Sequence, residues 1–301
     1  MTDTNTPPRS TLISAWIITL LVSLFPTILW VELVNENTRW LFWARLALLG
    51  GLALASLFWE GVKPLRKFIL ILLSIILLEE GSSLLAGQAF WQNWFGRGDE
   101  PFVVNMFGIQ MRRLIVSLIL IGFMLALGYS RRQIFLRCGN LKAPITPVRW
   151  LGFPKPDPWT RFGGQFAIYI SLGTLLFLIL GGRPSGSQFI ALLPLLPAVL
   201  LFAALNAFNE EFTYRSTLLA GLEPGIGARQ AVFIAAAFFG LGHYFGVPYG
   251  IVGVIMATFL GWMMGKAMVE TRGFFWAWFI HFLQDVMIFS FMAMGSITPG
   301  G

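Results

Sequence analysis

The chain has 301 residues, of which 56% are hydrophobic and 12% charged, and its mean hydropathy is +0.74. Soluble domains carry about 25% charged residues, so this chain lacks the polar surface to cover itself in water. A soluble enzyme, a nucleic-acid binder and a disulfide scaffold are all disfavoured. The formal charge of +7, from 21 Lys and Arg against 14 Asp and Glu, is first a topology signal and only weakly the mark of an anionic partner. The single cysteine, Cys138, has no partner within the chain for a disulfide.

Repeated apolar runs of about 20 residues predict an all-α fold, a polytopic transmembrane helical bundle. The runs fall near 12–34, 40–59, 67–88, 111–129, 165–181, 189–221, 230–246, 249–268 and 274–295, which predicts about nine membrane helices and allows eight to ten. The first contains Pro26 and is followed by Val31-Glu32 rather than small residues, so it reads as a membrane anchor and not a cleaved signal. Trp40, Trp43, Trp91 and Trp94 near run ends fit interface anchoring. Glu79-Glu80 follow eleven apolar or small residues in the third run, and Arg45 lies at a similar distance from the outer face, which predicts a structural ion pair between them. Residues 131–164 carry Pro144, Pro147, Pro154, Pro156 and Pro158 among seven basic residues. They read as an extended cytoplasmic linker lying on anionic headgroups. That linker separates accessory helices in 1–130 from a second half, 165–301, where polar residues gather. Alternate connecting segments hold 15 and five basic residues, the minority being Arg39, Arg97, Arg112, Arg113 and Arg183. The bias predicts a cytoplasmic N-terminus and, with nine spans, an outer C-terminus; for a prokaryotic chain the membrane is the plasma (inner) membrane.

Ionisable groups inside spans are costly and are functional candidates by default. The sixth run is interrupted by Asn206-Ala-Phe-Asn209-Glu210-Glu211-Phe-Thr-Tyr214-Arg215, and both histidines of the chain, His243 and His281, sit in apolar runs, the second with Asp285. Residues four apart share a helix face, which pairs Glu211 with Arg215, Asn206 with Glu210, Phe239 with His243 and His281 with Asp285. Gly240 and Gly242 thin their helix where a neighbour can approach. At 1.5 Å rise per residue, Glu211, His243, His281 and Asp285 lie roughly 16, 21, 12 and 18 Å from the cytoplasmic face. Carboxylates and imidazoles meeting at one depth in a dry bundle are what water activation needs, with or without a metal.

Glu210-Glu211-x-x-x-Arg215, Phe239-x-x-x-His243 and His281-x-x-x-Asp285, in this order on successive apolar helices, resemble the CPBP (Abi) family, best known for the type II CAAX prenyl endopeptidases and also including bacteriocin-processing proteins. The resemblance covers about 195–292 and leaves 1–164 untouched. It implies a glutamic-type intramembrane endopeptidase acting on a membrane-associated or lipid-tethered protein or peptide. By the same resemblance Glu210 is the general base on the attacking water, His243 orients that water, and His281 and Asp285 face the oxyanion. Glu211 and Arg215 form a one-turn ion pair, Arg215 also helping to bind substrate. Phe239 and Tyr214 are further substrate-binding candidates. Position 285 is Asn or Asp in the family. An ionised Asp repels an oxyanion, so Asp285 stays protonated, orients His281 or ligates a metal. A metal-free site ranks first; Glu210, His243, His281 and Asp285 are the ligand set if a divalent metal such as zinc is used. The competing readings are a non-catalytic binding or immunity scaffold and, behind it, a proton-coupled transporter, which usually brings repeated halves not found here.

Overall fold

Apolar runs of this length become helices because the bilayer interior offers no water to satisfy bare backbone groups. The computed structural model describes residues 8–36, 39–96 and 100–296, and all regular structure among them is helical apart from two isolated bridges. The first run forms α1 (Arg9–Val22) and α2 (Phe25–Val34), bent by 47°. Pro26 sits in the first turn of α2 and lacks the N–H that would bond back to Val22, so the ladder breaks there. Helices α3 (Trp40–Phe58), α4 (Arg66–Ala86), α5 (Ala89–Phe95) and α6 (Phe102–Ala126) complete the N-terminal half. The second half holds α7 (Trp159–Gly182), α8 (Gly186–Leu192), α9 (Leu196–Glu211), α10 (Thr217–Ile226), α11 (Ala228–Gly242), α12 (Ile251–Thr271) and α13 (Phe275–Ser296).

Among the described residues seven helical segments are long and apolar enough to cross a membrane, eight when α1 and α2 count as one bent span. The range of eight to ten holds; the count of nine is one too many, and the difference is α11. Its 15 residues reach about 22 Å, short of the ~30 Å hydrocarbon core. The glycines at 240 and 242 end the helix, so His243 is its C-cap and not a mid-helix residue. Eight crossings return both ends to one side and seven leave them on opposite sides, so the side of the C-terminus turns on the bent pair α1–α2. A second boundary also differs. Helix α6 begins at Phe102, nine residues before the run starting at 111, which places Arg112 and Arg113 inside a helix rather than in a connecting segment. The topology count at Arg97 lies outside the described residues. Side chains such as Leu54, Phe58, Leu172, Leu180, Ile190 and Ile255 point outward over more than half of their surface, as an integral membrane protein facing lipid requires.

The sequence boundary at 130 is not a boundary in the packing. Phe68, Ile71 and Leu72 of α4 share one core with Leu218, Leu219 and Leu222 of α10. Residues 131–158 do not run as an extended linker; they fold over the ends of α12 and α13. Asn140 N–H donates to Thr271 O at 2.8 Å, Phe274 N–H to Arg137 O at 2.7 Å, and Trp276 Nε1 to Leu141 O at 3.1 Å. The carboxylate of Glu270 accepts from Thr146 N–H and Trp159 Nε1, each at 2.9 Å. Prolines remove donors the segment does not need, and the tertiary contacts satisfy the rest. The approach is closest where Gly139 (φ +85°) meets Gly273: a Cβ on Gly273 would collide with the Gly139 Cα and the Cys138 carbonyl. Backbone cannot move aside as a side chain can, so Gly273→Ala is expected to cost about 1–3 kcal/mol. A lowered melting temperature in detergent checks this, and unchanged stability would contradict the close approach.

The expected Arg45 pairing with Glu79 or Glu80 is not formed. Arg39, closer to the rim, bonds Glu80 at 2.7 Å, and Tyr214 donates to Glu79 at 2.6 Å. Arg45 instead donates from Nε to Leu41 O at 3.2 Å and from Nη2 to Thr27 Oγ1 at 3.4 Å. Neutral acceptors on its own helix and on α2 have taken the place of a carboxylate.

Candidate active site

The site grows from one irregularity. Helix α9 does not continue into α10 as a regular α-helix; residues 212–216 form a π turn. A π turn inserts an extra residue and re-aims the groups on either side, and such turns gather at functional sites. Here Glu210 turns toward an open cavity and Glu211 toward the core.

Inside the core, Glu211 and Arg215 form an ion pair in which neither side chain is exposed. The guanidinium lies 4.5 Å from the centre of the Phe239 ring. Room for it comes from α12, where a Cβ on Gly261 would sit 3.3 Å from Arg215 Nη2. The remaining atoms of the pair, Glu211 Oε2 and Arg215 Nε and Nη2, have no hydrogen-bond partner among the described residues. Glu211 also accepts from His281 Nδ1 at 2.8 Å. That bond fixes the ring and turns Nε2 toward Asp285 Oδ2 at 3.5 Å and Glu210 Oε2 at 3.7 Å.

Asn206, one turn before Glu210, ties these groups together. Its Nδ2 donates to Asp285 Oδ2 at 3.0 Å and to Glu210 Oε1 at 3.3 Å. Its Oδ1 accepts from Gln110 Nε2 at 3.0 Å and from Arg113 Nη1. Arg113 donates to Glu210 Oε1 as well, at 2.6 Å. One oxygen of Glu210 is thus held by Arg113 and Asn206, and the other is left toward His281. His243, at the end of α11, lines the cavity with Glu210 and makes no hydrogen bond to it. Its Nδ1 lies 2.8 Å from Phe239 O. A carbonyl can only accept, so Nδ1 carries the proton and Nε2 of the neutral ring is an acceptor.

All four one-turn pairs read from the sequence are therefore present, and Glu210, Glu211, Arg215, His281 and Asp285 form one connected cluster with His243 across the cavity. Gly240 packs where α12 approaches, a Cβ there colliding with Thr258 Oγ1, whereas Gly242 meets nothing within 4 Å and lines the cavity. Phe239 is only 4% exposed, wedged between Arg215, His243 and His281. Tyr214 faces the cavity while bonded to Glu79. The sequence pattern does not single out Gln110 and Arg113, because the apolar run begins near 111 and Arg112 and Arg113 stand where flanking charges do. The apolar stretch Phe102-Val-Val-Asn-Met-Phe-Gly-Ile109 was the signal that they lie within a helix.

The cavity has two lobes that meet at Arg113, Glu210, Phe239 and His243. An apolar lobe of about 540 Å³ opens between α6, α7, α12 and α13, among Ile170, Phe177, Met256, Phe259, Leu260 and Met292. A polar lobe of about 500 Å³ lies toward α3 and α4, with Arg45, Glu79 and Glu80. Among the described residues no group of three or more His, Cys, Asp or Glu side chains is arranged to hold a metal ion. Arg113 occupies one face of Glu210, and Glu211 takes the His281 Nδ1 position. Of the four candidate ligands, His281 Nε2 faces Glu210 and Asp285 at 3.7 and 3.5 Å, while His243 stands apart across the cavity.

Residues 192–287 match the family described as type II CAAX prenyl endopeptidase Rce1-like. The match runs from the end of α8 into α13 and contains every residue of the cluster except Gln110 and Arg113. No curated protein and no solved structure matches the chain.

Proposed function

Because residues 192–287 carry a domain of the Rce1-like endopeptidase family, we propose that the cavity at Glu210 hydrolyses a peptide bond of a membrane-associated or lipid-tethered chain by glutamate-activated water. The supporting observation is the division of Glu210: one carboxylate oxygen is anchored by Arg113 and Asn206, and the other, 3.7 Å from His281 Nε2, makes no hydrogen bond among the described residues in the cavity that Glu210 shares with His243. A water between that oxygen and His243 Nε2 meets two acceptors and is aimed by both. Glu210 takes one proton as the water oxygen bonds to the carbonyl carbon. The carbonyl oxygen gains charge, and the donors around it are Arg113 and Nε2–H of His281, whose ring carries its second proton between Glu210, Glu211 and Asp285. Collapse breaks the C–N bond as Glu210 returns the proton to the leaving nitrogen. Asp285 accepts from Asn206 and stands beside His281 Nε2, which makes it an orienting group rather than an oxyanion donor. Arg215 is buried behind Phe239, so its role is to hold Glu211 and through it His281, not to touch substrate.

The test is cleavage by the purified full chain in vesicles, with a library of membrane-anchored peptides read by mass spectrometry. His243→Ala removes the acceptor that aims the water and is expected to lower the rate about 10²-fold, with chelators leaving the wild-type rate unchanged. Undiminished cleavage by His243→Ala would remove the role assigned to that ring. Loss of cleavage to a chelator, restored by added zinc, would replace the mechanism.

A further inference from the structure

Arg45 is the charge that neither the fold nor the proposed hydrolysis uses. It is the sixth of the 19 residues of α3, on the second turn of a candidate span, where an unpaired arginine bears part of the ~2.5–3.5 kcal/mol that it costs at a helix centre. Such a cost is normally offset by a carboxylate, and two lie in the same lobe. Both are engaged elsewhere: Glu79 by the Tyr214 hydroxyl and Glu80 by Arg39. The other cation of the lobe, Arg113, is bound to Glu210. Arg45 holds only a backbone carbonyl and the Thr27 hydroxyl, pairs with no carboxylate among the described residues, and lines the cavity that reaches Glu210 and His243. The Leu41 and Thr27 contacts use Nε and one N–H of Nη2, which leaves Nη1 and the second N–H of Nη2 for a partner from outside.

We propose that Arg45 is a specificity residue that receives a carboxylate of the bound peptide, so that one end of the substrate segment is held in the polar lobe while the bond to be cut lies at Glu210. The inference rests on the endopeptidase reading but draws on residues outside the matched domain. An arginine fork matches a carboxylate with two parallel hydrogen bonds, strengthened by the low dielectric of the bundle. The lobe's volume of about 500 Å³ lies in the range of ligand clefts, about 300–1,000 Å³, and fits a short peptide stretch rather than a folded domain. The carboxylate has two possible sources, a free chain terminus or an acidic side chain, with the same chemistry at Arg45.

Binding separates this inference from the hydrolysis itself. The probes are dansyl-labelled apolar tetrapeptides in three forms: free acid, C-terminal amide, and amide with one internal Asp. Each is titrated into the full chain carrying Glu210→Gln, reconstituted in phosphatidylcholine vesicles. The free acid is expected to bind about tenfold more tightly than the amide. Adding Arg45→Gln should bring the two within about twofold, and Arg45→Lys, which keeps the charge but loses the fork, should retain only part of the preference. Unaltered binding of the amide to Arg45→Gln shows that the cavity is intact. An Asp-containing amide that outbinds the free acid, and loses its advantage in Arg45→Gln, supports the same receptor with an acidic side chain as its ligand. Equal binding of all three forms to the chain with Arg45 present overturns the proposal, whatever becomes of Arg45→Gln, and so does a preference that survives Arg45→Gln. Since no peptide bond is cut in these titrations, failure here leaves the Glu210 mechanism standing, and failure of cleavage leaves the carboxylate site standing.

Discussion

Glu210→Gln is expected to lower peptide cleavage by about 10²–10⁴-fold, the usual worth of a positioned general base, while the chain stays folded. The amide has the shape of the carboxylate and still accepts from Arg113 and Asn206 through its carbonyl oxygen, so the anchoring bonds at 2.6 and 3.3 Å have a substitute. What it cannot do is take a proton from water and return it to the leaving nitrogen. Glu210→Asp separates the two requirements. It keeps the base and withdraws it by one methylene, away from His243, so an intermediate rate is expected. The measurement is initial rate per folded protein, with folding read from the melting temperature in detergent. A Glu210→Gln variant that cleaves at the wild-type rate would move the base to another carboxylate. Asp285 is the nearest alternative, since it too stands within 4 Å of His281 Nε2.

How far the sequence foretold this site follows from where its signals come from. Charge in an apolar run and spacing by four are local, so the pairs Glu211–Arg215, Asn206–Glu210 and His281–Asp285 are legible in the sequence. The turn between α9 and α10 was not. Nothing in Phe212-Thr-Tyr-Arg-Ser216 marks a π turn, and its Arg215 packs against Phe239 and the glycines of α12, which are distant in sequence. The length of α11 was overread because apolar residues continue past the helix end, through Tyr244, Phe245 and Val247, and hydropathy does not distinguish an apolar loop from an apolar helix. Arg45 illustrates a third limit. Depth alone matched it to Glu79-Glu80, but the choice of ion-pair partner is decided by side-chain reach and by competitors on other helices, here Arg39 and Tyr214. The same limit hid Arg113, whose partners lie more than 90 residues away in the chain. The fold of the 131–158 segment is hidden from the sequence for a related reason. Proline content predicts an extended backbone, while the hydrogen bonds that fold it come from α12 and α13.

Arg215→Ala is expected to destabilise the chain by about 3–5 kcal/mol, because it leaves the Glu211 carboxylate buried with one fewer cation and empties the space beneath Phe239. Glu211→Ala should cost a similar amount, exposing the guanidinium to the same dry core. The pair itself need not stabilise: replacing both residues with apolar ones of similar size, Glu211→Leu with Arg215→Met, is expected to recover most of the loss, as burial of two charges costs nearly what their attraction returns. Activity should not recover with it. His281 donates Nδ1 to Glu211 at 2.8 Å. A leucine there frees the ring to rotate, and its Nε2 leaves the position facing Asp285 and Glu210. The expected result is a double variant with near-wild-type unfolding in denaturant and cleavage reduced about 10-fold or more. Stability and rate restored together would show that the buried pair only fills space, whereas stability restored alone assigns it the task of aiming His281 at the reacting carbonyl.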